Sequence, residues 1–89
     1  MSNYYWKISY DHLENKEILI EGPRNCDCSI PTPFKFRLYD DDGELNLSGE
    51  CSDNNSENAF GPLDDYGMPS YGCTEIRYLN EETGLWEPL

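Results

Sequence analysis

The chain has 89 residues and a formal net charge of −12 at pH 7, which comes from 18 acidic residues against six Lys and Arg. A chain of this length predicts a single domain, residues 1–89, with a thin hydrophobic core. The charge argues against direct binding to nucleic acid or to an anionic membrane, since both carry phosphates. It permits binding to a basic protein surface, and the alternative is that the charge only keeps the protein soluble.

The first quarter of the chain predicts two paired strands. Residues 4–10 alternate, with Trp6, Ile8 and Tyr10 on one side and polar residues on the other. After a short turn, the Ile-rich run at residues 17–21 predicts a second strand that pairs back on the first, and a Gly-Pro pair ends it.

The clearest local pattern lies in the middle of the chain. Residues 34–39 and residues 44–48 both alternate between apolar and polar side chains, and they flank an acidic turn. The turn, Asp-Asp-Asp-Gly at residues 40–43, is typical of a type I turn followed by a bulge in which Gly43 takes a positive φ. This part of the chain therefore predicts a β-hairpin.

The second half begins with a long irregular segment. Residues 52–71 are polar and rich in Gly and Pro, but their apolar residues predict a loop that packs on the sheet. Residues 74–79 and 85–87 predict a last pair of strands. The chain as a whole predicts a mainly β fold, a small antiparallel sheet of about five to six strands arranged as a hairpin meander with one long packed loop.

Four cysteines raise the question of a metal site. The chain has no apolar run of signal-peptide or membrane length, so we expect a cytoplasmic protein with reduced thiols. One interpretation is a tentative structural zinc site, because the central hairpin should return its second arm towards the Cys-X-Cys pair. The alternatives are separate buried thiols, His12 as a replacement ligand, or a disulfide, which reduction disfavours. The candidate zinc ligands are Cys26, Cys28, Cys51 and Cys73.

The carboxylates do not predict a calcium loop or a catalytic site. Counting from Gly43 as the sixth position of an EF-hand puts Leu38 first and Gly49 twelfth, where acidic ligands are required. Turn chemistry explains the three Asp residues with fewer assumptions. The chain has one His, no recognisable nucleophile arrangement and no Gly-rich phosphate loop, so we do not expect an enzyme.

The acidic residues form a block, because the span from Leu38 to Ile76 contains no Lys or Arg. Alternate residues of a strand lie roughly 6.5–7 Å apart on one face, so such carboxylates could present a row of charge comparable to a phosphate backbone. The other interpretation is an ordinary solvated acidic face. The candidate partner-binding residues are Asp40, Asp41, Asp42, Glu44, Glu50, Asp53, Glu57, Asp64 and Asp65.

The stretches FRLYDDDGEL, PLDDYGMP and GCTEIRYL, with a Trp near the end, resemble a family of small acidic bacterial and phage proteins. That resemblance implies no role for any residue. In size, acidity and lack of catalytic motifs the chain also resembles, by type, phage anti-CRISPR proteins that inhibit Cas9, some of which carry structural zinc. This likeness implies a monomeric or small oligomeric inhibitor in the cytoplasm of a bacterial host, which blocks the basic nucleic-acid-binding surface of a nuclease. The alternative is a small cellular zinc-binding or accessory β domain without an inhibitory role.

Overall fold

The computed structural model describes residues 4–23 and 27–89, which form one six-stranded antiparallel sheet. The mainly β prediction is confirmed, and each predicted strand is present within three residues of its expected bounds. The strands are β1 (Trp6–Asp11), β2 (Lys16–Gly22), β3 (Phe34–Asp40), β4 (Leu45–Cys51), β5 (Cys73–Asn80) and β6 (Leu85–Pro88).

Three hairpins stand side by side in the sheet, in the strand order β2-β1-β4-β3-β5-β6. The hairpins are those predicted, but their order differs from a simple meander, because β1 adjoins β4 and β3 adjoins β5. The physical reason is burial. Strands β3 and β4 carry fully buried Phe36, Leu38 and Leu47 and occupy the centre, whereas β2, with Leu19 63% exposed, lies at an edge.

The long segment between β4 and β5 covers one face of the sheet. It contains a 3₁₀ turn at Glu57–Phe60 and a π-type helix at Leu63–Tyr71, and we call residues 57–71 the covering segment. The prediction of a packed segment is confirmed by buried Ala59 and Leu63. Its helical turns were missed, because internal Gly and Pro obscure a helical period. Within the described ranges, no helix is long and apolar enough to cross a membrane.

The core lies between the sheet and the covering segment. The hydroxyl of buried Tyr78, on β5, donates a 2.7 Å hydrogen bond to the carbonyl of Ala59, which ties the two layers together. The apolar side chains that form the sheet side of the core are Trp6, Ile8, Phe36, Leu38, Leu47, Ile76 and Tyr78. We call the opposite side of the sheet the open face, because no other element of the described chain packs on it.

A β-bulge in β1 changes which residues face the core. The register with both neighbouring strands shifts between Ile8 and Tyr10. The prediction that Tyr10 lies on the same face as Trp6 and Ile8 is therefore wrong. The bulge turns Tyr10 to the open face opposite Ser48, and it brings Asp11 into the core.

Candidate functional site

Two of the cysteines proposed as zinc ligands lie at opposite ends of the sheet. Cys51 pairs with Phe34, the first residue of β3, and Cys73 pairs with Asp40, its last residue. A seven-residue strand spans about 20 Å, whereas the ligands of one zinc ion lie roughly 4 Å apart. The structure therefore does not bring Cys51 and Cys73 to a common ion.

Among the described residues, the other predicted zinc ligands do not form a metal site with cysteine ligands either. Cys28 is exposed and free, and Cys26 lies outside the part of the chain that the structure describes. The ring Nε2 of His12 lies 2.9 Å from the hydroxyl of Ser48. In the described ranges, only Asp40, Asp41 and Asp42 bring three possible ligand atoms together. Zinc binding through the Cys-X-Cys pair stays a prediction.

Cys51 and Cys73 are fully buried core residues. Burial, together with the smaller effect of the nearby Asp40 carboxylate, raises the pKa of the Cys73 thiol to about 11. Burial also raises the pKa of the Cys51 thiol. Both thiols are protonated at neutral pH, and neither is in a disulfide. Of the alternatives to a zinc site, these two residues therefore fit that of separate buried thiols.

The acidic turn between β3 and β4 forms as predicted, with Gly43 at φ 78°. The carboxylate of Asp40 accepts hydrogen bonds from the backbone N–H of Glu44 at 2.9 Å and of Asp42 at 3.0 Å. The bond from Glu44 is the main cause that lowers the pKa of Asp40. Turn geometry thus accounts for Asp40, and it leaves the carboxylates of Asp41, Asp42 and Glu44 exposed.

The remaining acidic candidates do not join this turn in a single row. Asp53 lies at the opposite end of the sheet, where its carboxylate accepts hydrogen bonds from the backbone of residues 55 and 56, and Glu57 follows it. Residues 64–65 are exposed on the covering segment. Glu50 lies on the open face. The structure therefore spreads the predicted partner-binding set over both ends and both faces of the molecule.

An acidic cleft, which sequence reasoning missed, lies at the end of the sheet where β5 turns into β6. Its volume is about 580 Å³, and Glu81, Glu82 and Glu87 contribute to its lining together with Asn54 and Asn80. The signal was present as the adjacent pair of Glu residues in the turn. The two Glu residues line a cleft only because the segment after β4, through Asn54, lies beside them in the folded chain.

Sequence reasoning also missed a basic surface on the open face. Lys7, Lys35, Arg37 and Arg77 all lie there, since cross-strand partners share a face: Glu50 is opposite both lysines, and the two arginines are opposite each other. The available signal was that each of these residues occupies the polar side of an alternating strand. Only the order of the hairpins brings them together.

Aromatic rings orient the two arginines. The Arg37 guanidinium lies 4.0 Å from the centroid of the Trp86 ring, and that of Arg77 lies 4.3 Å from the Tyr39 ring. Such cation–π contacts contribute roughly 0.5–1 kcal/mol at exposed sites. Arg77 also forms an ion pair with Glu75. The two like charges therefore diverge towards different rings, which reduces their repulsion.

A cavity of about 240 Å³ opens on this face. His12 lies at one side, with its ring centroid 4.8 Å from that of Tyr10. Partial burial lowers the pKa of His12, and the positive charge of Arg37 lowers it further, so the ring is neutral at pH 7. The polar and aromatic lining consists of Ser9, His12, Lys35, Phe36, Arg37, Ser48, Glu50 and Trp86.

Comparisons of the chain with protein-family models, with curated proteins and with solved structures find no match. The acidic and basic surfaces that the fold creates are therefore the features of this chain that bear on its function.

Proposed function

We propose that the protein is a binding protein whose acidic surface docks on a basic surface of a nucleic-acid-binding protein. The observation that carries this proposal is the segregation of charge. Of the five Lys and Arg in the described ranges, four lie on the open face, and the fifth, Lys16, begins edge strand β2. The turn from β3 to β4 and the covering segment contain acidic residues and no basic ones.

Hydrogen bonds fix the turn between β3 and β4 within this acidic surface. Two backbone hydrogen bonds to Asp40 hold the turn, so the carboxylates of Asp41, Asp42 and Glu44 project from a fixed backbone. A preorganised loop loses less conformational entropy on binding. A groove that binds phosphates through Lys and Arg, as in a nuclease such as Cas9, would also attract these carboxylates, and the protein would compete with nucleic acid for it.

Binding to purified Cas9 at increasing salt tests the proposal. We expect affinity to fall as NaCl rises past about 0.15 M, where the screening length is roughly 8 Å. Asp41→Asn with Asp42→Asn should weaken binding about tenfold or more, and it should relieve any inhibition of DNA cleavage. Asp40 is left intact because it holds the turn.

The matched control is Glu81→Gln with Glu82→Gln, which removes the same charge at the opposite end of the sheet. We expect a smaller loss of affinity from this pair. An affinity for Cas9 that changes neither with salt nor with the substitutions at residues 41 and 42 would contradict the proposal. A loss confined to the pair at residues 81 and 82 would place the contact at the cleft instead of the turn.

A further inference from the structure

The cavity on the open face has the opposite charge from the surface used in the proposed function. Residues of β1, β4, β3 and β6 line it, among them Lys35, Arg37 and Trp86. His12 and Ser48 also line it, and their polar atoms lie 2.9 Å apart. A cationic recess in a chain of net charge −12 is not accounted for by docking on a basic partner.

Two positive charges in this cavity are not neutralised. Lys7 has Glu50 at 3.6 Å and Arg77 has Glu75, whereas Lys35 and Arg37 form no ion pair within residues 4–23 and 27–89. Lys35 and Arg37 are alternate residues of β3, so their side chains leave the same face roughly 6.5–7 Å apart.

The Arg37 guanidinium is already oriented. Its Cζ lies 4.0 Å from the centroid of the Trp86 ring, and its N–H groups form no ion pair with a carboxylate of the described residues. A planar guanidinium matches the geometry of a carboxylate through two parallel hydrogen bonds. The cation–π contact therefore orients the Arg37 guanidinium before an oxyanion binds.

We infer that this cavity binds the carboxylate of a small organic acid, with the carboxylate on Arg37 and Lys35 and the apolar part of the acid against Trp86. The hydroxyl of Ser48 and the neutral ring of His12 offer further hydrogen bonds. An organic acid is favoured over inorganic phosphate, because Trp86 lines the cavity and offers an aromatic surface to the apolar part of the acid, which inorganic phosphate lacks. Glu50 also lines the cavity and repels any anion, so the attraction of Lys35 and Arg37 must outweigh it.

Titration with benzoate, followed by NMR of the uniformly labelled full chain, tests the inference. We expect benzoate to shift the indole N–H signal of Trp86 and the backbone signals of Arg37 and Ser48. Benzamide, a neutral molecule of nearly the same shape, should bind about tenfold more weakly or not at all, since it lacks the charge. Absence of benzoate shifts, equal binding of benzamide, or tighter binding of inorganic phosphate would overturn the inference.

Two substitutions on the same face separate the site from general charge effects. Arg37→Gln should weaken benzoate binding about tenfold or more. Arg77→Gln removes the same charge outside the cavity, where Glu75 already pairs with it, and should weaken binding far less. Lys35→Gln, at an exposed position, should also weaken benzoate binding, and this second test does not involve Arg37. Equal effects of Arg37→Gln and Arg77→Gln, or no effect of Lys35→Gln, would refute the site.

The acidic residues are untouched in these variants. The affinity of these variants for a basic partner therefore reports on the proposed function alone. The proposed function can fail while the carboxylate site stands, and the reverse.

Discussion

Asp11, at the end of β1, is a carboxylate with only 1% of its surface exposed. It accepts a 2.7 Å hydrogen bond from the Tyr71 hydroxyl, and bonds of 2.9 and 3.0 Å from the backbone N–H groups of Leu13 and Glu14. The bond from Tyr71 is the largest cause that lowers the pKa of Asp11, and the same bond raises the pKa of Tyr71 to about 12. This hydrogen bond thus joins the first hairpin to the end of the covering segment.

The contact predicts how stability depends on pH. The folded pKa of Asp11 is below its unfolded value, so its contribution is present above about pH 4 and is lost as pH falls through the folded pKa. The folded pKa of Tyr71 is raised, so its contribution is complete below about pH 10 and is lost as pH rises through about 12. Tyr71→Phe should lower the free energy of unfolding at pH 7 and flatten both limbs, measured by urea denaturation.

Tyr10→Phe is the control for this substitution, because Tyr10 lies on the open face and its hydroxyl is not among the hydrogen-bond partners of the Asp11 carboxylate. Its pH profile should match that of the unsubstituted protein. If Tyr71→Phe keeps the same acid limb as Tyr10→Phe, the pairing of Asp11 with Tyr71 does not govern that limb.

At the scale of the elements, the bulge in β1 depends on a glycine in its partner strand. A Cβ added to Gly49, on β4, would lie 1.9 Å from the carbonyl oxygen of Lys7 and 2.8 Å from the Cα of Ile8. Both atoms belong to the backbone of β1, where the bulge brings the chains close together, so neither can rotate away. Gly49 also lines the open-face cavity.

Gly49→Ala should therefore destabilise the protein by about 2 kcal/mol or more, as overpacking in a strand pair does. Thermal unfolding should show a drop of roughly 8 °C or more for a domain of this size. Gly43→Ala is the matched comparison, because its Cβ meets nothing within 4 Å and costs only the strain of a positive φ, about 1 kcal/mol. A loss at Gly49 no larger than that at Gly43 would contradict the close approach.

At the scale of the whole molecule, the fold places basic and acidic side chains on different parts of the surface. The open face carries four basic side chains, while the turn after β3 and the covering segment carry unopposed acidic ones. Two ion pairs form in the described ranges, both on the open face, so most of the negative charge is balanced only by solvent ions. Self-repulsion of this kind destabilises the compact state.

Added salt should therefore stabilise the protein. Between about 0.01 and 0.15 M NaCl the screening length falls from roughly 30 to 8 Å, and we expect a gain on the order of 1 kcal/mol, or about 4–8 °C in melting temperature. Asp41→Asn with Asp42→Asn should reduce the gain, because it removes part of the repulsion. A melting temperature that does not rise with salt would show that the excess charge has little effect on stability.

The sequence by itself determined the local features of this protein. Alternation with a period of two residues located the strands, and the glycine at position 43 determined the turn that joins β3 to β4, because both signals depend only on neighbours in the chain. It also showed that the segment after β4 packs on the sheet, through the apolar residues that it carries.

Only the tertiary structure decided which hairpins adjoin, and the functional surfaces follow from that order. The pairing of β1 with β4 and of β3 with β5 places the strands with the most buried side chains at the centre of the sheet, which is a non-local property that alternation does not encode. That order separates Cys51 from Cys73 and gathers Lys35 and Arg37 beside Trp86. The bulge that turns Tyr10 outward likewise depends on contact with two neighbouring strands, so no single strand predicts it.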